Sequence, residues 1–482
     1  MRGLSEQRTG LLQRPLGYWS VVLLGVNAVI GAGIFLTPGA VISDAGTLAP
    51  LAYVIAAVFA LVLALVFATA ARYVRTNGAA YAYTMVGIGR RTGIYVGVTH
   101  AFTAAIAWGT LASFAVTTFL QVVFPHEGWS KETGFLSVKT LTFVLFILLL
   151  LVINYFGNRV IAWTNGISTI GKVLALVIFI VAAVVTVVVT GHNDYHLAGG
   201  SKVYGGPSTY SLFGFIDVGT GEFASVVLAV IAALYAFTGF ESIANAAEEM
   251  EQPDRTLPRA VPTAMVIVAV VYLLAITSGM LLAPDKIANS SDTVKLAAAI
   301  TNDTVHTLVV IGALVSLFGI NIASSFSAPR LFTALADDGL LPAAIARKRG
   351  FGVPLLAFGV TAVLAIAFPL SLGYDTANLT GLAVISRFVQ FLVVPVVVIR
   401  FASSRKERWA SIRTGRLLGT VVPAVAIVFS LFLLVSFDFK GIFVSGGRPN
   451  VLAITLLAIA FVIAPLASYL VDARRTATPT RA

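Results

Sequence analysis

Gly25-Val26-Asn27-Ala28-Val29-Ile30-Gly31-Ala32-Gly33-Ile34-Phe35, followed by Pro38-Gly39, lies inside the first long apolar run of the chain. Glycine beside small residues lets the backbone leave the α region cheaply. At bilayer depth an unwound stretch frees N–H and C=O groups, which must then face protein, water or a ligand. A second stretch of the same character, Leu234-Tyr235-Ala236-Phe237-Thr238-Gly239-Phe240-Glu241-Ser242, lies in the sixth run. Two readings stand for these stretches, an unwound binding segment or close helix packing. Gly31 and Gly33 are two residues apart, not the four of the usual packing stripe.

The rest of the chain fits a membrane setting. Only 11% of its 482 residues are charged while 58% are hydrophobic, and the mean hydropathy is +0.94. Ordinary globular chains carry about 25% charged residues. A cytosolic enzyme, a disordered chain and a secreted repeat protein are therefore excluded. Lipid admits only helices or closed barrels. The apolar runs are near the length of a helical span and lack the two-residue alternation of barrel strands, so the fold class is an all-α membrane protein.

Twelve spans are expected, at roughly 18–43, 49–71, 94–123, 137–155, 160–190, 222–247, 259–283, 304–335, 353–372, 377–401, 416–436 and 450–471. The eighth is long enough for its end to lie outside the lipid. An even number puts both termini on one side. With the N-terminus cytoplasmic, the 32 basic residues divide 23 inside and 6 outside, with Lys139, Lys172 and Arg387 at or within spans. The positive-inside rule then places both termini in the cytoplasm. This asymmetry absorbs most of the net charge of +11, so no nucleic-acid partner is called for. The chain has no cysteine, so no disulfide-linked subunit is available to it. Residues 1–17 read as a cytoplasmic tail, 191–221 as an extracytoplasmic loop, 402–471 as two further helices and 472–482 as a cytoplasmic tail.

Three blocks give the chain a family resemblance. Ile30-Gly31-Ala32-Gly33-Ile34-Phe35 is similar to the IGxGIF signature of amino acid permeases of the amino acid–polyamine–organocation superfamily. Glu248-Glu249-Met250-Glu251-Gln252-Pro253-Asp254-Arg255-Thr256-Leu257-Pro258-Arg259-Ala260 resembles their EExxNPxRxxPRA pattern, with Gln252 where asparagine is common. The third is Pro329-Arg330 with Ala336-Asp337-Asp338-Gly339-Leu340-Leu341-Pro342. The resemblance implies the leucine-transporter (LeuT) fold, with a five-helix repeat over 18–190, its inverted copy over 222–401 and two appended helices. Paired glycine-interrupted segments in two halves belong to that architecture.

The resemblance also implies a substrate site. The N–H groups of Ala32, Gly33 and Ile34, beside Gly31, would hold the substrate carboxylate. The carbonyls of Val29 and Ile30, with those near Ala236 and Phe237 and the adjoining Thr238 and Gly239, would hold the ammonium. Tyr235 matches an aromatic gate, with a packed or lipid-facing ring as the alternative. Lys172 stands where sodium-coupled relatives hold a cation, so a proton role and no sodium requirement are expected; the alternative is a side chain snorkelling to the cytoplasmic interface. Glu241, beside the second break, is the other proton-coupling candidate, with a permanent ion pair or a helix cap as alternatives. Arg387 departs from the family pattern; a structural ion pair ranks ahead of contact with an anionic substrate. Ionisable groups inside spans are functional candidates because burying them is costly.

The five histidines carry little signal; His192 and His196 have i, i+4 spacing but sit in a polar loop, so no metal is expected. Glu248, Glu249 and Glu251 read as a cytoplasmic cluster pairing with Arg255 or Arg259, or as a solvated helix end. No Walker-type loop appears, so ATP-driven transport is not expected. The implied function is secondary active transport of amino acids across the plasma membrane by alternating access, with proton symport as the first reading and no other cofactor. Exchange of cationic amino acids or amines, and nutrient sensing without transport, are the alternatives. Membrane lipid and a small amino acid are the implied partners; the oligomeric state is left open.

Overall fold

The structure is a computed structural model, and it describes residues 17–74, 79–155, 158–191, 193–195, 209–241, 250, 252–347, 354–404, 412 and 414–477. His192, His196, Glu248, Glu249 and Glu251 lie outside the described residues. The first half holds α1 (Tyr18–Val29), α2 (Gly33–Leu36), α3 (Pro38–Ala45), α4 (Ala49–Tyr73), α5 (Ala79–Gly87), α6 (Arg90–Val123), α7 (Val138–Tyr155) and α8 (Asn158–Thr190). The second half holds α9 (Glu222–Ala236), α10 (Pro253–Leu282), α11 (Pro284–Asn289), α12 (Asp303–Asp337), α13 (Leu355–Ser371), α14 (Thr376–Ile385) and α15 (Phe388–Ser403). After these come α16 (Val422–Ser436), α17 (Lys440–Phe443), α18 (Val451–Ala458) and α19 (Ala464–Ala477).

Among the described residues, nine helical stretches are long and apolar enough to cross a membrane. Three further apolar helices, Val138–Asn154, Glu222–Ala236 and Leu355–Ser371, are shorter and fall within the runs at 137–155, 222–247 and 353–372. The helix at Glu222–Ala236 is short because the backbone breaks immediately after it. At about 1.5 Å per residue, the 35 residues of α12 exceed the roughly 30 Å hydrocarbon core, so α12 tilts or projects from it. Two antiparallel strand pairs depart from an all-helical chain. They are Thr209–Leu212 with Ile216–Thr220, inside the segment read as loop, and Val444–Ser445 with Arg448–Pro449.

The helices around the centre sort their side chains by face. Along α8, Ser168, Lys172, Ala175, Leu176, Phe179 and Ala183 are buried on one face. Ile170, Val173, Leu174, Val177, Val181 and Val184 are exposed on the opposite side, an apolar face fit for lipid. The buried face packs on α12. A Cβ placed on Gly319 would lie 2.0 Å from Ser168 Cβ, and one on Gly312 would lie 2.4 Å from Ala175 Cβ. Glycine at both positions lets the two helices approach closely.

Candidate substrate site

Two helices stop where the glycines predict. The α1 helix ends at Val29, Ile30 turns extended (φ −67°, ψ 91°), and helix resumes at Gly33. Beyond it α2 and α3 run on through Thr37, whose N–H bonds back to the Gly33 carbonyl. The α9 helix ends at Ala236, and Gly239 adopts φ +111°, a value that favours glycine. The two breaks touch. A Cβ on Gly33 would lie 2.4 Å from Ala236 Cα, and one on Gly239 would lie 2.4 Å from the Ala28 carbonyl oxygen.

A helix end leaves its last carbonyls without intrahelical donors, and buried ones need partners. Val26 O accepts from Ile30 N. Asn27 O accepts from Lys172 Nζ at 2.6 Å, while Thr169 Oγ1 donates to Asn27 Oδ1 at 2.6 Å. The buried phenol of Tyr272 in α10 donates to Val29 O at 3.0 Å and to Ala236 O at 3.1 Å. Tyr272 thus ties both broken ends to one side chain. Tyr235 O accepts from Thr238 N and Thr238 Oγ1. The donors on the other side of the first break are different. Among the described residues the N–H groups of Ala32, Gly33 and Ile34 have no partner.

Both breaks border a cavity of about 340 Å³. Val29, Gly31, Ala32, Gly33, Tyr235, Ala236, Thr238 and Gly239 line it, as do Lys172, Glu241 and Arg387. Ile30, Ile34 and Phe237 do not line it; their side chains are buried in the core behind the breaks. Phe237 packs against Tyr53 and Tyr272 with ring centroids 6.3 and 5.0 Å away. The Tyr235 ring meets Phe114 edge-on, centroids 6.4 Å apart. Lys172 turns inward to the Asn27 carbonyl and is 5% exposed, so it does not snorkel.

A third and milder break, a kink at Ser386 and Arg387 between α14 and α15 where both residues keep α-region dihedrals, faces the same cavity. Thr103 Oγ1 of α6 donates to the freed Ser386 carbonyl at 2.9 Å. Arg387 Nε reaches Glu241 Oε1 at 3.4 Å, and Arg387 Nη1 donates to the Ala383 carbonyl. Glu241 Oε2 accepts from Gly239 N at 3.1 Å, so Glu241 is at once an ion-pair partner and a cap on the second break. His100 and Gln390 complete this end of the cavity.

Sequence reasoning passed over His100, Thr103, Tyr272 and Gln390. His100 carried the usable signal, an ionisable residue inside an apolar run, and treating all five histidines as uninformative lost it. Outside the spans, Tyr81 of α5 donates to Asp338 Oδ2 at 2.6 Å, and burial together with that carboxylate pushes its phenol pKa up. Lys295, packed beside Gly39 with its ammonium on the Ser290 carbonyl, is pushed down by burial, partly offset by Asp292.

The amino acid permease profile matches residues 16–463, which is nearly the whole chain. The chain belongs to the amino acid permease family. This permease is 56% identical over 461 residues to an uncharacterized transporter of Mycobacterium tuberculosis, covering 96% of this chain and 95% of the relative. It is 25% identical over 443 residues to the branched-chain amino acid permease BcaP of Bacillus subtilis, with 88% of each chain covered. It is 29% identical over 357 residues to the chloroplastic cationic amino acid transporter 9 of Arabidopsis thaliana, covering 70% of this chain and 57% of the relative. The permease is a multi-pass membrane transporter and not an enzyme.

Proposed function

We propose that this permease moves an amino acid across the plasma membrane by alternating access, driven by proton symport. Its architecture on this reading is twelve spans in two inverted five-helix repeats with two appended helices, both termini cytoplasmic. The observation that supports the reading most is the meeting of two broken helices at one cavity, where Ala32 and Gly33 keep unpartnered N–H groups. Such N–H groups at the start of a helix favour an anion. A zwitterion desolvated at the midplane costs several kcal/mol unless each charge meets fixed dipoles. The carboxylate takes the N–H groups of the first break. The ammonium takes the second lone pairs of the Val29 and Ala236 carbonyls, whose first lone pairs hold the Tyr272 hydroxyl. Tyr235 closes over the bound amino acid. Lys172 braces the first broken helix in place of a sodium ion, and Lys172 and Glu241 are the groups that carry the coupling proton.

The test is uptake into proteoliposomes with a panel of labelled amino acids, with and without an inward pH gradient. The gradient drives accumulation on this reading. Uptake that ignored the gradient yet required internal substrate would assign the permease to exchange instead.

A further inference from the structure

The cavity is charged, and its charges are unbalanced. The titratable groups lining the cavity, among the described residues, are His100 on α6, Lys172 on α8, Tyr235 on α9, Glu241 past the second break and Arg387 at the third. Two basic side chains, Lys172 and Arg387, face the single carboxylate of Glu241. An amino acid head group brings no net charge. A cationic side chain would add a third positive charge to a desolvated space, whereas a side-chain carboxylate brings the sum to zero.

The geometry of Arg387 points the same way. Its contact with Glu241 is a single Nε–H bond at 3.4 Å, near the outer limit of a hydrogen bond, instead of the bidentate fork that arginine and a carboxylate prefer. One terminal nitrogen is taken by the Ala383 carbonyl, and among the described residues the other has no partner. Arg387 is thus held in place at the cavity wall with donor capacity unspent. The other cation, Lys172, is tied to the Asn27 carbonyl at the first break, so Arg387 is the cation at the Glu241 end of the cavity.

Building on the amino acid symport reading, the geometry points to a substrate with an anionic side chain, an aspartate- or glutamate-like amino acid, whose second carboxylate docks on Arg387. The incoming carboxylate takes the guanidinium from Glu241, and Glu241 accepts one proton from the aqueous side to which the cavity is then open. After release of the substrate on the other side, Glu241 gives up that proton there and pairs with Arg387 again. One proton thus accompanies one substrate of charge −1, no bond other than that to the proton is made or broken, and the coupled step is electroneutral. The branched-chain and cationic amino acids named for BcaP and the Arabidopsis transporter belong to chains 25% and 29% identical to this one and do not fix its side-chain pocket.

The experiment uses the full-length permease in proteoliposomes with labelled L-glutamate, L-glutamine, L-leucine and L-arginine. The wild type is expected to accumulate glutamate under an inward proton gradient, with aspartate competing and leucine and arginine at least tenfold weaker. In Arg387→Gln the ratio of kcat/KM for glutamate over glutamine falls at least tenfold, and in Glu241→Gln glutamate uptake no longer rises with the gradient. Glutamate-induced thermal stabilisation, seen in the wild type and lost in Arg387→Gln, gives the same answer for any variant that folds but does not turn over. Uptake of leucine or arginine without glutamate, or an unchanged ratio in folded Arg387→Gln, overturns the anionic assignment and leaves amino acid symport standing. If no amino acid in the panel moves, both readings fall.

Discussion

Replacing Tyr272 with phenylalanine removes one oxygen from a buried site and leaves the edge-on contact with Tyr53 and the tilted contact with Phe237 in place. That oxygen shares its proton between Val29 O at 3.0 Å and Ala236 O at 3.1 Å, the last carbonyls of the two half-helices. Neither carbonyl has another donor among the described residues. A hydrogen bond contributes about 1 kcal/mol net, and leaving a buried group unsatisfied costs about 1–3 kcal/mol. Because one proton serves both acceptors, the loss is about 2 kcal/mol, not the sum of two full bonds. In a chain of this length that lowers the melting temperature by about 2–5 °C. Tyr53→Phe is the control. It removes the 2.7 Å contact with Thr37, but Thr37 Oγ1 keeps its bond to Gly33 O, so no partner is orphaned. The Tyr53 variant should therefore melt closer to the wild type than the Tyr272 variant. The assay is thermal unfolding of the purified permease in detergent, followed by uptake after reconstitution, where Tyr272→Phe should be severalfold slower. A Tyr272→Phe protein that melts within 1 °C of the wild type and transports at its rate would refute the claim that this phenol ties the two breaks together.

Gly33→Ala puts a methyl group 2.4 Å from Ala236 Cα and 3.1 Å from Ala236 N, backbone atoms that cannot swing aside. Overpacking of this kind costs about 1–3 kcal/mol, and uptake should fall at least tenfold as the breaks are pushed apart. Lys172→Ala strips the Asn27 carbonyl of its charged donor; a loss of about 1–3 kcal/mol in stability should accompany loss of gradient-driven accumulation, and full accumulation in this variant would remove Lys172 from the coupling mechanism. Arg90 holds Asp472 through three contacts of 2.6–3.0 Å, but the arginine side chain is 51% exposed. A double-mutant cycle there should return less than about 1 kcal/mol. Uptake in sodium-free buffer should equal uptake in sodium at the same pH gradient, and a sodium requirement would count against the lysine standing in for a cation.

The first two breaks were legible because glycine marks them, at 31 and 33 and again at 239, in runs otherwise too apolar to end. The third was not. Ile385-Ser386-Arg387-Phe388 contains no glycine or proline, and its interruption is supported from a distance by Thr103 of α6, 283 residues away in sequence. Tyr272 was hidden for a related reason. It is one of 14 tyrosines, in an unbroken apolar helix, and its partners lie 36 and 243 residues away. Local pattern reports where a helix can stop. It does not report which distant side chain receives the freed carbonyls. The glycines at 312 and 319 show the same limit from the other side, since only the facing Ala175 and Ser168 reveal that close packing, and not a break, is their use.

The broken ends are treated unequally, and that inequality bears on how a substrate would be held. On the acceptor side the carbonyls of Val26, Asn27, Val29, Leu234, Tyr235 and Ala236 receive donors from the protein, while among the described residues those of Ala28 and Ile30 receive none. On the donor side Ala32, Gly33 and Ile34 offer N–H groups to nothing among the described residues. Unsatisfied buried donors are rarer and costlier than under-used carbonyls, so the site is built with its deficit on the anion-binding side. A carboxylate removes that deficit outright, whereas an ammonium meets the Ala28 and Ile30 carbonyls and shares those already in use. The α-carboxylate is therefore the group that gains most on binding, and the ammonium serves mainly to orient it. The same imbalance recurs at the third break, where Arg387 retains donor capacity that Glu241 does not fill. Both ends of the cavity call for negative charge, one through backbone N–H groups and the other through a guanidinium.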